Sequence, residues 1–575
     1  MKTILISLCT AGLVFGQAGT CRGIDVGSNL YGHSSWHGFV GGSATSTYQR
    51  NISGDPVDSH SATWMARLDG SAQNEKLNLG VAISEARNGQ WEGFNVHYVH
   101  GNTQRRMAVR YNPLWGKTAV TGAMTSGSNV LTVSSWTPAS IQGQQKPYFS
   151  SDDIGKVVTV AGACTGTSQN PPCISGVLGG NLGTLYVASV ISPTQATLVS
   201  IAGFSPAATV TVSGATTTVQ FREGSNSMDP GTFPAPLSMR IQSWFSPHSR
   251  PWGVFLETNI PDTDQHAFIV DVDNCIGYEM YKCYDDGSNL SCGAYSAFYL
   301  PGGDLQRPYN ITGGATVAGM PEIPGLLRYD EFSSGVIPHA LNMTALLGNS
   351  TPAFTGPASY GQYGAWTSNQ IPFGSKLRLK VGFDRTGHPA SCKPLFDEMQ
   401  NYGLIVVDGG YTGQLLQEVN YNWPNDCGYD LYANFRINAD NFEVVQQPVD
   451  SHIYCANGTA GCPDTLPAGS APAIANFTAS PATITLGQST TLHWAVSGAV
   501  DVDGNDMHIR NISYGVNHAV DCSAQPCSLG PGWIDGPAHD ESVVMTPQTS
   551  GTYVYQLMAQ NRFGRTKANV SVTVK

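Results

Sequence analysis

Alternation of apolar and polar positions dominates the chain. From His266 to Val272 the period is two: His266, Phe268 and Val270 share one face, and Ala267, Ile269 and Asp271 the other. Similar runs at Val254 to Thr258, Ile276 to Tyr281, Val336 to Met343, Lys376 to Phe383 and Leu404 to Val407 are predicted as strands. Only two segments carry a helical period, Ser61 to Leu68 and Pro394 to Tyr402, where Leu395, Phe396, Met399 and Tyr402 fall on one face. Short alternating runs return at Ile474 to Phe477, Thr490 to Val496, Val543 to Thr546, Thr552 to Ala559 and Ala568 to Val574.

Composition supports the β reading and divides the chain. Charged residues make up 12% of 575, with 65 Gly and 34 Pro, where about 25% charge is usual. Few charges and many turn residues suit short strands joined by tight turns and exclude coiled coils and charged disordered tails. The length allows roughly three to four domains. Much of the charge deficit lies between Thr121 and Gln220, where Lys146, Asp152, Asp153 and Lys156 are the four charged residues in that stretch. Strand-like runs there at Val130 to Val133, Lys156 to Val160, Leu185 to Val190, Ala196 to Ile201 and Thr209 to Val212 suggest a small β-barrel or sandwich. The flanking text has an ordinary mix of charges, so this segment reads as an insertion at a surface loop of its host. Pro463 to Pro472 is a Pro/Ala/Gly linker.

The expected class is mostly β. A large β-sandwich host domain, jelly-roll-like, spans 17–116 and 222–460; a charge-poor β module is inserted at 117–221; a linker covers 461–473; and a small sandwich spans 474–575. Residues 1–16 read as a signal peptide: Lys2, an apolar stretch from Ile4 to Phe15, and a small-residue cleavage signal at Val14 to Gly16. The protein is therefore expected to be secreted, and no later stretch is apolar for long enough to span a bilayer. Of 13 cysteines, Cys9 lies in the signal. The close pairs Cys164 with Cys173, Cys455 with Cys462 and Cys522 with Cys527 are expected as disulfides, while connectivity among Cys275, Cys283, Cys292, Cys392 and Cys427 stays open. A formal charge of −12 leaves no basic stripe for phosphates, so nucleic acid is not an expected partner.

Candidate chemistry lies in the host. Asp262 to His266 leads into the first strand; Tyr278 and Glu279 follow; Pro324 to Glu331 and Gly335 to His339 form a second stretch, and Tyr402 to Gly410 a third. Together these stretches resemble a group of secreted bacterial proteins, a likeness covering about half the chain that implies export and domain integrity but transfers no catalytic residue. Ser489 to Trp494, Gly551 to Leu557 and Asn561 to Gly564 resemble the immunoglobulin-like modules of secreted bacterial proteins. Ser150 to Val160 with Ile191 to Leu198 resembles short β modules found beside phage-tail and polysaccharide-acting domains.

Glu279, between Tyr278 and Met280 in an apolar strand, is the best candidate for a carboxyl held protonated, with Asp330 or Glu331 as its partner in glycoside hydrolysis. His266, His339, Tyr329 and Arg328 suit a lyase, as base and as neutraliser of a substrate carboxylate. The same histidines with carboxylates would also suit a divalent metal, although no HExxH spacing fixes ligands. Tyr278, Tyr329 and Trp252 are the aromatic candidates for substrate contact. Weaker signals are His33, Trp36 and His37, then Trp91, His97 and His100, and the oxygen-rich loop from Asp501 to Asp506, which lacks the last Glu of a calcium-binding EF-hand loop. Walker, GxSxG and strand-coupled GxGxxG motifs are absent from the sequence. The expected function is a secreted polysaccharide hydrolase or lyase. The alternatives are a non-catalytic glycan-binding or adhesion protein, and a metal-dependent enzyme using His266 and His339.

Overall fold

The computed structural model describes residues 47–70, 94–101, 266–272, 276–281, 294–300, 307–310, 316–346, 351–362, 364–410, 413–418, 437–447, 450–456, 459–498, 540–547 and 550–575, together with Cys427, Phe149 and the further strands named below. Residues 1–16, the cluster around His33, Trp91, the run Val254 to Thr258, Trp252, the loop from Asp501 to Asp506 and the side chains of the other proposed cysteine pairs lie outside the described residues, whereas His97 is buried on the edge strand Val96–Val99 and His100 is exposed just after it.

The fold is mostly β, with several sheets and few helices. Two four-stranded sheets frame the host core. In one, Ala294–Tyr299, Ile276–Tyr281 and Ala267–Asp271 pair antiparallel, and Val96–Val99 adds in parallel at the edge. In the other, Leu341–Leu346 pairs in parallel with Leu404–Gly410, followed by Lys376–Leu379 and Phe442–Val445 in antiparallel register. Both sheets feed one apolar cluster that includes Phe268, Val270, Phe298, Leu341, Leu377, Leu404 and Val444. The two predicted helices form at Ser61–Asp69 and Lys393–Asn401. The first buries Ser61, Trp64, Met65 and Leu68, the spacing of one helical face. The second buries Leu395, Phe396 and Met399. Gly403 follows it at φ +79, where a Cβ would come within 2.4 Å of Leu377 O, so the return into the sheet requires glycine.

Within Lys117–Arg222, seven strands form a sheet of their own. Val157–Ala161 pairs both with Thr217–Arg222 and with Leu182–Ser192, which closes six of the strands into a barrel. The first and last strands pair with each other, Lys117 opposite Arg222, so chain entry and exit lie side by side. After Pro472, Ala473–Ser480, Thr490–Ser497 and Asp540–Met545 form one sheet, and Thr483–Ile484, Gly564–Val574, Gly551–Asn561 and Met507–Asn511 the other. The two enclose Trp494, Leu492, Tyr555 and Leu557. The tip of the Gly551–Asn561 and Gly564–Val574 hairpin rests on the host. Arg562 donates to Arg307 O at 2.7 Å and lies 4.1 Å over the Tyr309 ring, and Tyr309 N donates back to Arg562 O at 2.9 Å.

Three local expectations are corrected. The strand predicted at Val336 to Met343 is Leu341–Leu346, because Pro338 and His339 lie in the approach to it. The run Lys376 to Phe383 stops pairing at Leu379 and turns through Gly382 at φ +88. Tyr329–Ser334 is a short helix that periodicity could not reveal at six residues; its acidic first turn, Asp330 and Glu331, and its left-handed cap Gly335 at φ +85 are the local signals for it. Cys455 bonds Cys462 as expected, and Cys392 bonds Cys427, one pairing that spacing left open. Among the described residues no helix is long and apolar enough to cross a membrane.

Candidate functional site

One ten-residue segment, Glu322 to Glu331, holds the predicted site residues in two adjoining charge groups. Its backbone is fixed as a bridge: Leu327 N donates to Leu416 O at 2.8 Å, and Glu418 N donates to Leu327 O at 2.9 Å. Asn342 steadies the upstream turn by donating to Pro321 O at 2.9 Å. A Cβ on Gly325 would come within 2.2 Å of the Asn342 amide, so that approach also requires glycine.

The first group gathers on the sheet. Alternation places His266, Phe268 and Val270 on one face as predicted, and Glu279 stands opposite Phe268 on that same face. The Glu279 carboxylate is fully buried and accepts from Glu322 N at 2.9 Å and Ile323 N at 2.8 Å. Burial raises its pKa to about 7, against the pull of the two amides and of the Arg307 guanidinium. Arg307 stacks 4.4 Å over Phe298. His266 Nε2 lies 3.8 Å from Glu322 Oε1, with its ring among Phe94, Phe268 and Tyr281. Tyr278 faces the other side of the sheet, stacked on Tyr295 with ring centroids 6.3 Å apart. It is a core ring there and is not brought to Glu279, because neighbouring strand residues point to opposite faces.

The second group centres on Arg328, whose side chain is 3% exposed. Its Nη2 donates to Asp330 Oδ2 at 2.8 Å, its Nη1 makes a short bond to the Tyr98 hydroxyl, and its Nε lies 3.9 Å from Glu331 Oε2. Glu331 Oε2 in turn meets His339 Nε2 at 2.9 Å, while His339 Nδ1 meets Ala340 O at the same distance. A backbone carbonyl only accepts, so Nδ1 carries hydrogen, and the carboxylate calls for hydrogen on Nε2 as well. With Glu331 ionised, this geometry calls for an imidazolium. Burial opposes that charge, but the carboxylate of Glu331 outweighs it and the pKa of His339 is raised. Arg328 and His339 thus balance Asp330 and Glu331. Glu418, packed against the same residues and bridged to Phe94, holds its proton to higher pH: burial first, then the negative charges of Asp330 and Glu331, raise its pKa to about 7 despite Arg328.

The predicted residues are therefore only partly united. Arg328, Asp330, Glu331 and His339 form one network, with Tyr329 half-buried beside them. His266 and Glu279 form the neighbouring one through Glu322. The expected Glu279 partnership with Asp330 or Glu331 is not what the carboxylate makes, since its oxygens are used by two amides. As a metal ligand His339 lacks a free lone pair, and among the described residues no group of three or more His, Cys, Asp or Glu is arranged to hold a metal. Sequence reasoning missed Glu418, Tyr98, Glu322 and Arg307. Tyr98 had a local signal, the alternation of Phe94, Val96 and Tyr98 toward the core. Glu418, after the apolar pair Leu415 and Leu416, had only its company.

No family model and no curated protein matches the chain. Among solved structures, a "Chimeric titin Z1Z2 functionalized with a KLER exogenous peptide from decorin" is similar at 16% identity, over 19% of this chain and 97% of that one, with a TM-score of 0.12.

Proposed function

We propose that the chain is a secreted carbohydrate-active enzyme, a polysaccharide hydrolase in which Glu418 is the general acid and Asp330 the carboxylate that acts as base or nucleophile. The observation that carries this reading is the contrast between two neighbouring carboxyls. Glu418 has its pKa raised to about 7, while Asp330 is bonded to the Arg328 guanidinium at 2.8 Å. Glycoside cleavage needs such a pair, one carboxyl to protonate the leaving oxygen and one ionised to stabilise or attack the sugar carbon. Asp330, at 22% side-chain exposure, is the member of the pair open to substrate, whereas Arg328 beneath it is 3% exposed.

Hydrolysis is favoured over elimination by the state of the cations. A lyase would need His339 as a base and Arg328 to neutralise a uronate, but His339 donates from both nitrogens and Arg328 is already engaged by Asp330 and Tyr98. Glu279 is set aside as the acid because its oxygens face backbone amides that do not release it to a substrate. The test is release of reducing ends from a panel of plant, fungal and bacterial polysaccharides by the wild type, Glu418→Gln and Asp330→Asn. Both variants are expected to lose activity by about 10²-fold or more. Release at the wild-type rate by either one, or a wild type silent across the panel, contradicts the assignment.

A further inference from the structure

A second polar site lies away from the buried network. Arg50, Asp55, Gln446, Asp450, Ser451 and His452 are among the residues that line a cavity of about 390 Å³, within the range of small-ligand sites. Its walls are built in advance. Arg50 and Asp55 form a bidentate pair, Nη1 to Oδ2 and Nη2 to Oδ1, both at 2.6 Å. The turn that presents Asp55 is clamped by Arg378 Nη1, which donates to Ile52 O, Ser53 O and Asp55 O at 2.6, 3.1 and 2.9 Å. Gln446 N donates to Pro56 O at 2.9 Å, and Gln447 Nε2 to Gly374 O at 2.8 Å. On the far wall His452 Nδ1 meets Asp450 Oδ1 at 2.8 Å, and the ring stacks on Tyr454 at 5.9 Å. The Cys455–Cys462 bond closes the loop behind it. His452 Nε2 has no partner among the described residues, and Gln446, Ser451 and His452 are all exposed.

We infer that this cavity binds a neutral sugar unit of a glycan, whose hydroxyls are taken by Gln446, Ser451, His452 and the outer edges of the Arg50 and Asp55 pair. Each cation in the lining already faces a carboxylate, so the site has no unpaired positive charge for phosphate or a uronate. Polar and apolar surface share the lining about equally, which suits a ligand with both hydroxyls and a C–H face. What remains is the planar Arg50 and Asp55 pair and the His452 ring, held by their bonds, with the exposed Gln446 and Ser451 side chains beside them, a set that suits the lone pairs and hydrogens of adjacent hydroxyls. The inference does not rest on catalysis at Glu418, and it names a place where a glycan would be held whichever site cuts it.

The test is saturation-transfer NMR on the full chain with methyl glycosides of glucose, galactose, mannose and xylose, and with glucuronate and inorganic phosphate as anionic probes. At least one neutral glycoside should give transfer at millimolar concentration. The double variant His452→Ala with Gln446→Ala, both on exposed positions, should weaken that binding about tenfold or more without changing the melting temperature. Glu418→Gln should bind as the wild type does, even where it has lost product release. The inference is overturned if no neutral glycoside binds, if an anionic probe binds more tightly, or if the double variant matches the wild type. Loss of binding in Glu418→Gln would place the sugar at the other site and overturn it as well.

Discussion

His339 and His452 each face a carboxylate at nearly the same distance, 2.9 Å and 2.8 Å, yet their side chains are 7% and 63% exposed. The difference in burial gives the same pair two meanings. At His339 the charges are out of water and each depends on its partner: removing one carboxylate leaves an imidazolium and a guanidinium with no solvent to receive them. At His452 the imidazole side of the pair lies in water although Asp450 is 17% exposed, so the ion pair itself contributes little to folding. It is free to exchange its contacts for those of a ligand. The buried group is suited to holding protons, and the exposed group to recognition.

The largest expected effect breaks the buried side. Glu331→Ala should destabilise the protein by about 3 to 5 kcal/mol, read by urea unfolding, because it strands His339 and part of the Arg328 charge. Next comes the pH profile. Glu279 and Glu418 have folded pKa values raised to about 7, so the native state keeps protons that the unfolded chain has already lost. Their contribution is complete below the ordinary glutamate pKa and is lost as pH rises toward 7, on the order of 3 kcal/mol for each group. The raised pKa of His339 acts in the same direction, its share being lost as pH climbs through the folded value. The melting temperature should therefore fall between about pH 5 and pH 8, and Glu418→Gln should flatten that fall.

A smaller effect is expected where the last module meets the host. Arg562→Ala removes the donor to Arg307 O and the cation over Tyr309 and should cost about 1 to 2 kcal/mol, seen as faster proteolysis in the 463–472 linker. Smallest of all, Asp450→Asn, which keeps an oxygen for the His452 amide and removes only the charge, should change stability by less than about 1 kcal/mol, read as the melting temperature. A drop as large as that of Glu331→Ala would erase the distinction between the two histidines.

Much of the scaffold was legible because strand period is a local property. The alternation of His266, Phe268 and Val270, the faces of both long helices, the rhythm after Pro472 and the Cys455 to Cys462 spacing all reappear in the structure. The site was legible only in part. Arg328, Asp330, Glu331 and His339 are close in sequence, and their grouping survives. Glu418 and Tyr98 reach them through contacts between distant segments, Glu418 by its amide on Leu327 and Tyr98 by the parallel edge strand opposite Val270. Such parallel pairings leave no turn signal in the sequence. The rim from Asp450 to His452 was passed over for the opposite reason: exposed polar residues before a disulfide read like any loop, and only the fold brings Arg50 and Asp55 to face them.

The proposed hydrolysis depends most on the proton of Glu418. Infrared difference spectroscopy across neutral pH, comparing the wild type with Glu418→Gln, isolates its carboxyl band. A protonated band that titrates near 7 and is missing from the variant is the predicted result. A wild-type band already lost at the ordinary glutamate pKa, or one that persists unchanged in Glu418→Gln, would contradict it.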